Sequence, residues 1–180
     1  VLTIPSLSSP FVVGNFIRAV YQGRNCSYSD FVLDFSNIEG VYPNVCVPLA
    51  GFLEYYQSEG LEFEYRNVPT FLDLTNALKP SIAKDNNAHR TSPFNVVWKF
   101  SSPEEVHSLV SSYLDAVSKA AVCQKGVIQG LEWCLNETMD NVLQHANTVY
   151  GYVMGQIHST SQHIALCIYD SGQGIFNSLR

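Results

Sequence analysis

Residues 31–65 hold the pattern that most narrows what this chain can fold into. Phe31-Val-Leu-Asp-Phe-Ser36 is an apolar run of strand length. Asn37-Ile-Glu-Gly40 punctuates it as a turn. From Asn44 to Ser58, the apolar residues Leu49, Phe52, Leu53 and Tyr56 recur at helical spacing on one face. Pro48 suits such a helix only within its first turn, where a missing N–H leaves no hydrogen bond unmade. Gly60 stands where a helix closes on a left-handed residue. Leu61-Glu-Phe-Glu-Tyr65 then alternates as a strand. Strand, helix and strand in this order predict two parallel neighbours joined by a right-handed crossover.

The rest of the chain continues in the same α/β (α+β) vein. Phe71, Leu72, Leu74 and Leu78 predict a short helix stopped before Pro80. Lys79 to Pro93 is polar and reads as the connection between two units, 1–92 and 93–180. Val96-Val-Trp-Lys-Phe100 reads as a strand. Ser102-Pro103-Glu104-Glu105 combines a Ser cap, Pro at the first helical position and Glu three residues after the cap. The helix it opens carries Val106, Leu109, Val110, Leu114 and Val117 on one face. A second helix runs from about Gly126 to Ala146, with Ile128, Leu131, Leu135, Met139, Val142 and Leu143 as its apolar positions. Tyr150 to Ile157 and His163 to Tyr169 read as neighbouring strands joined by the polar Ser159-Thr-Ser-Gln162. There is no internal repeat and no low-complexity tract.

Composition excludes several classes. Hydrophobic residues make up 46 % of the chain and aromatics 12 %, enough for a packed core. A net charge of −6, with only 10 scattered Lys and Arg, argues against nucleic-acid binding, which needs clustered cations. No apolar run approaches the ~18 residues of a membrane span, so no membrane contact is expected. No charged n-region precedes an apolar h-region. The chain opens on Val1 without Met, as a trimmed segment would, and is expected to be either a fragment of a longer protein or a half-site. Cys26, Cys46, Cys123, Cys134 and Cys167 are odd in number, with no CxxC pair. They predict reduced, buried thiols and a cytoplasmic location.

Chemistry concentrates near the C-terminal end. Glu137, Asn141 and His145 recur every four residues, each step advancing about 40° around a helix, so the three form one polar stripe. A carboxylate there can act as a general base toward a water or a hydroxyl. An Asn amide oxygen is a hard ligand suited to Mg²⁺, which takes few protein ligands and completes its shell with water and phosphate oxygens. The same stripe could equally be a solvated helix face. After the apolar Ile164-Ala-Leu-Cys-Ile-Tyr169, the chain reads Asp170-Ser-Gly172-Gln-Gly174-Ile175. A carboxylate at a strand end can accept a hydrogen bond from an exocyclic amine such as that of adenine. Gly172 and Gly174 would let a ring lie against backbone. A plain Asp-Ser-Gly turn is the simpler alternative. A third reading, a turn serving S-adenosylmethionine, needs a long α/β domain downstream, and only six residues follow Gly174.

Taken together the two segments resemble the boxes of the GHKL ATPases, the group of histidine kinases, gyrase-type and chaperone-type ATPases and anti-sigma-factor serine kinases. The helical segment is similar to their N box, Glu-x-x-x-Asn-x-x-x-His-Ala, at Glu137, Asn141, His145 and Ala146. The strand end is similar to their first glycine box, Asp-x-Gly-x-Gly-Ile, at Asp170, Gly172, Gly174 and Ile175. The resemblance covers about residues 95–180. It implies the first part of a Bergerat-type α/β sandwich that binds ATP and Mg²⁺. Glu137 would be the catalytic base, Asn141 the metal ligand, His145 a neighbour of the phosphates, and Asp170 with Gly172 and Gly174 the adenine contacts. No histidine-kinase phosphoacceptor is visible among the five His residues. The family's lid and second glycine box have no counterpart up to Arg180. The domain is therefore expected to be incomplete as given, with low ATP affinity by itself.

The first unit resembles the STAS domains of anti-sigma-factor antagonists, on the pattern of Phe31–Ser36, the helix from Asn44 to Ser58, and Gly60–Tyr65. The turn Gly40-Val-Tyr-Pro-Asn44 has no Ser or Thr to carry that family's regulatory phosphate. The combined resemblance implies a regulator of bacterial partner-switching signalling. Its activity would be Mg²⁺-dependent ATP hydrolysis or phosphoryl transfer to a protein Ser or Thr. Its partner would be of the sigma-factor or antagonist type, and a homodimer is compatible with it. The alternative is a non-catalytic interaction module with a vestigial nucleotide site.

Overall fold

The computed structural model describes residues 1–4, 9, 11–83, 92–158, 160–161 and 163–172. The chain is a mixed α/β fold built on two sheets. The first sheet holds β1 (Leu2–Thr3), β2 (Asp30–Asp34) and β3 (Glu62–Arg66), all parallel and in chain order. α1 (Phe11–Asn25) and α2 (Pro43–Ser58) are its crossovers. The predicted parallel pairing is present, with Phe31 opposite Phe63 and Leu33 opposite Tyr65. Phe31, Leu33 and Phe35 turn into the core, and Phe16 of α1 packs 6.3 Å from the Phe63 ring on the same side. The opposite side carries Asp30, Asp34, Glu62, Glu64 and Arg66, a charged face suited to water.

α2 stops as its sequence dictates. Gly60 adopts φ +86°, the Leu61 N–H reaches back to the Tyr56 carbonyl at 3.0 Å, and the Gly60 N–H reaches Gln57 at the same distance. This pair of hydrogen bonds closes the last turn, with Leu61 buried over it. The start differs from expectation. The helix opens at Pro43 rather than Asn44, and Pro48 lies in its second turn, inside the helix. There its missing N–H forfeits a bond to the Asn44 carbonyl.

The second sheet runs β4 (Ser81–Ile82), β5 (Trp98–Phe100), β6 (Gly151–His158) and β7 (His163–Asp170). β4 is parallel to β5, and the remaining pairs are antiparallel. Part of the segment predicted as a connection, Ser81–Ile82, is thus a strand of this sheet, while 84–91 lie outside the described residues. The helix predicted around Phe71 to Leu78 shrinks to α3 (Thr70–Asp73). Its apolar residues do not share a face: Leu72 and Ala77 are buried, whereas Phe71 and Leu74 are exposed. Asn76 at φ +57° turns the chain away.

α4 (Pro103–Ala120) and α5 (Val127–His145) cover one face of the second sheet. Ser102 caps α4, its hydroxyl accepting from the Glu105 N–H at 3.3 Å. The Glu105 carboxylate returns to the Ser101 N–H at 2.7 Å and is itself buried. Val106, Leu109, Tyr113 and Val117 of α4 meet Leu135, Met139 and Val142 of α5 over Trp98, Phe100 and Val153. Each such buried side chain contributes roughly 1.5–3 kcal/mol. The other face of the sheet rests on α2. Tyr152, Met154 and Val97 belong to the same core as Leu33, Leu49 and Leu53. Among the described residues no helix is long and apolar enough to cross a membrane.

Candidate functional site

Glu137, Asn141 and His145 all lie on α5. The buried residues Leu135, Met139, Val142 and Ala146 mark the side that faces the sheet. At 100° per residue, Glu137 points about 170° from that side, Asn141 about 130° and His145 about 90°. The stripe therefore winds from the outer face toward the flank as it nears the helix end, and all three residues are exposed.

That end is where β7 delivers Asp170. α5 closes at Ala146, whose N–H bonds the Val142 carbonyl at 3.1 Å, and Asn147 reverses the chain at φ +53°. Gly151 then begins β6 directly beneath the helix. A Cβ on it would lie 2.8 Å from Val142 Cγ1 and 2.3 Å from Phe100 Cζ. Asp170 is the register partner of Gly151. Strand alternation puts Asp170 on the same side as Ile164, Leu166 and Ile168, which pack with α4 and α5. Asp170 is half-buried, and its Oδ1 accepts the Gly172 N–H at 2.9 Å, the side-chain turn that Asp-x-Gly favours. Thr148 and Ser171 hydroxyls meet at 3.3 Å and tie this turn to the connection after α5.

Gly172 makes the closest approach. A Cβ there would lie 1.9 Å from the Ala146 carbonyl oxygen and 2.8 Å from its Cα. Backbone rests on backbone, which only glycine permits. The structure thus brings Asp170 and Gly172 against the last turn of the helix that carries Glu137, Asn141 and His145. Along the axis from that end the order is His145, Asn141, Glu137, with steps of about 6 Å. Gly174 and Ile175 lie outside the described residues.

All five cysteines are free. Burial pushes the Cys46 thiol up to about 12 and the Cys167 thiol up to about 11. Cys26 and Cys134 depart from their expected burial and are exposed. Cys134 belongs to an apolar run, but only Leu135 of that run faces the sheet. Trp133, 67 % exposed, extends the polar stripe by one more step of four. Its spacing of four from Glu137 is the signal for it in the sequence. Gly51, Thr148 and Ser171 likewise lie outside the sequence expectations. A glycine in mid-helix was the available signal for the first, since it costs about 1 kcal/mol against Ala unless packing requires it. Among the described residues no three His, Cys, Asp or Glu side chains converge on a metal position.

Comparison with family models, with curated proteins and with solved structures returns no match for the chain.

Proposed function

We propose that this chain is an ATP-binding regulatory protein of the histidine kinase-like (GHKL) ATPase type, preceded by a STAS-like unit. The observation that carries the reading is the seat of Gly172 on the Ala146 carbonyl, which joins the two sequence boxes into one corner. The order of groups along α5 supports it too. An adenine read by Asp170 leaves its phosphates to run past His145 toward Asn141, with Glu137 farthest out. A Mg²⁺ there would take one protein oxygen, from Asn141, and its remaining ligands from phosphates and water, the shell this ion prefers. Bound in that way, the ion supplies charge neutralisation at the phosphates. The exposed Glu137 carboxylate is free of the core and can accept a proton from water or from a protein hydroxyl. Catalysis on this plan is positioning more than covalent chemistry. The role that follows is phosphoryl transfer or ATP hydrolysis in partner-switching signalling.

The test is a calorimetric titration of the intact protein with ATP, with and without Mg²⁺, alongside phosphate release and labelling of candidate partner proteins. ATP binding strengthened by Mg²⁺ supports the reading. Binding without turnover or labelling leaves a nucleotide-gated interaction module. Absence of any nucleotide binding rejects the proposal and leaves a module that works through its surfaces.

A further inference from the structure

β7 is covered on both faces. Ile164, Leu166, Ile168 and Asp170 turn toward α4 and α5, whereas Cys167 and Tyr169 turn the other way, onto α2. Midway along α2, a Cβ on Gly51 would lie 2.4 Å from Tyr169 Cε1, 2.8 Å from its Cδ1 and 3.4 Å from Tyr152 Cε2. The Phe52 ring sits 5.8 Å from the Tyr169 ring. Three residues after Gly51, the Glu54 carboxylate accepts from Lys99 Nζ at 2.7 Å and from the Tyr152 hydroxyl at 2.6 Å. Before the helix begins, the Val41 carbonyl accepts from the Gln156 side-chain amide at 3.0 Å. One helix of the first unit is thus fixed to β5, β6 and β7. It bears directly on the residue before Asp170.

We propose that α2 positions the nucleotide-reading carboxylate: the Gly51–Tyr169 contact sets where β7 ends, and so how Asp170 meets an adenine amine. The inference rests on the nucleotide reading above and concerns its regulation. The first unit acts on the site through a helix behind the strand, without contributing a residue to it. Anything that draws α2 toward or away from the second sheet then changes ATP affinity, and by linkage ATP changes how tightly the first unit is held. Gly51 and Tyr169 are positioning residues in this scheme.

A double-mutant cycle tests it. Gly51→Ala drives a methyl into the Tyr169 ring, and Tyr169→Val removes the two ring atoms it strikes. ATP and GTP affinities of the intact wild type, both single variants and the double variant are measured, with thermal melts alongside. Gly51→Ala is expected to weaken ATP about 10-fold and to erode the ATP-over-GTP preference, a loss that merely lowered stability would not produce. The double variant should return to the value of Tyr169→Val alone. An unchanged ATP affinity and preference in folded Gly51→Ala overturns the proposal while leaving nucleotide binding intact, as does a double variant that is not restored. If wild type binds no ATP, the nucleotide reading fails and this inference with it. Should Gly51→Ala not fold, Glu54→Gln loosens α2 from Lys99. It is expected to weaken ATP about 3-fold, and an unchanged affinity there contradicts the coupling.

Discussion

Glu137 and Asn141 share a helical face but differ in what their loss should do. A base acts in the transition state, so Glu137→Ala is expected to leave ATP affinity within about 2-fold and to lower turnover by roughly 10²–10⁴-fold. A metal ligand acts in both ground and transition states, so Asn141→Ala should weaken Mg²⁺-ATP binding and turnover together. Paired measurements of affinity and phosphate release separate the two, and equal behaviour of the variants would contradict the assignment. Their common helix could be read from the sequence because a spacing of four needs no tertiary information. Where the stripe points could not, since that depends on which side of α5 the sheet takes. Cys134 shows the same limit. An apolar stretch says that something is buried, and the sheet decides that it is Leu135 and not the thiol.

Among the elements, α2 shows how far local rules reach. Its C-terminal glycine and the parallel strands it joins follow from turn chemistry and alternation, and the observed Gly60 closure agrees. Its N-terminus follows a weaker rule, and Pro48 ended up inside the helix. Pro48→Ala should restore a bond to the Asn44 carbonyl. After subtraction of the chain entropy that proline removes from the unfolded state, the gain is about 1–2 kcal/mol. Differential scanning calorimetry should then show a Tm higher by about 2–8 °C; a lower Tm would mean that ring packing outweighs the missing bond. α1 has no counterpart among the sequence expectations. Yet Val13, Phe16 and Val20 recur on one face and are all buried. Gly14 and Gly23 within it weaken the helical signal, and Gly23 is there because the Phe31 ring lies where its Cβ would be, 2.6 Å away.

The whole molecule is held by α2 lying between two sheets. Val45, Cys46, Val47, Leu49, Ala50, Leu53 and Tyr56 are buried around most of its circumference, the mark of a helix covered on more than one side. Periodicity in the sequence picked out one apolar face and suggested one sheet. The second partner was hidden because residues far along the chain, Tyr152 and Tyr169 among them, supply it. A core shared in this way predicts that the two sheets melt together. Far-UV circular dichroism and the fluorescence of buried Trp98 should report one coincident thermal transition, and separated midpoints would contradict the shared core. It also puts Asp170 at the junction of everything proposed, so the most direct measurement is made there. The Oδ1 atom of Asp170 is already engaged by the Gly172 N–H. An amide at this position must therefore keep its oxygen on Gly172 and present its NH₂ to the ligand, donor against the adenine amine. ATP and GTP are titrated into wild type and Asp170→Asn. The nucleotide reading predicts that ATP affinity falls about 10-fold or more, a loss of about 1.4 kcal/mol, while GTP affinity does not fall and rises, because the guanine carbonyl oxygen accepts from the amide that the carboxylate could not offer. Superimposable ATP curves for the two proteins would contradict it.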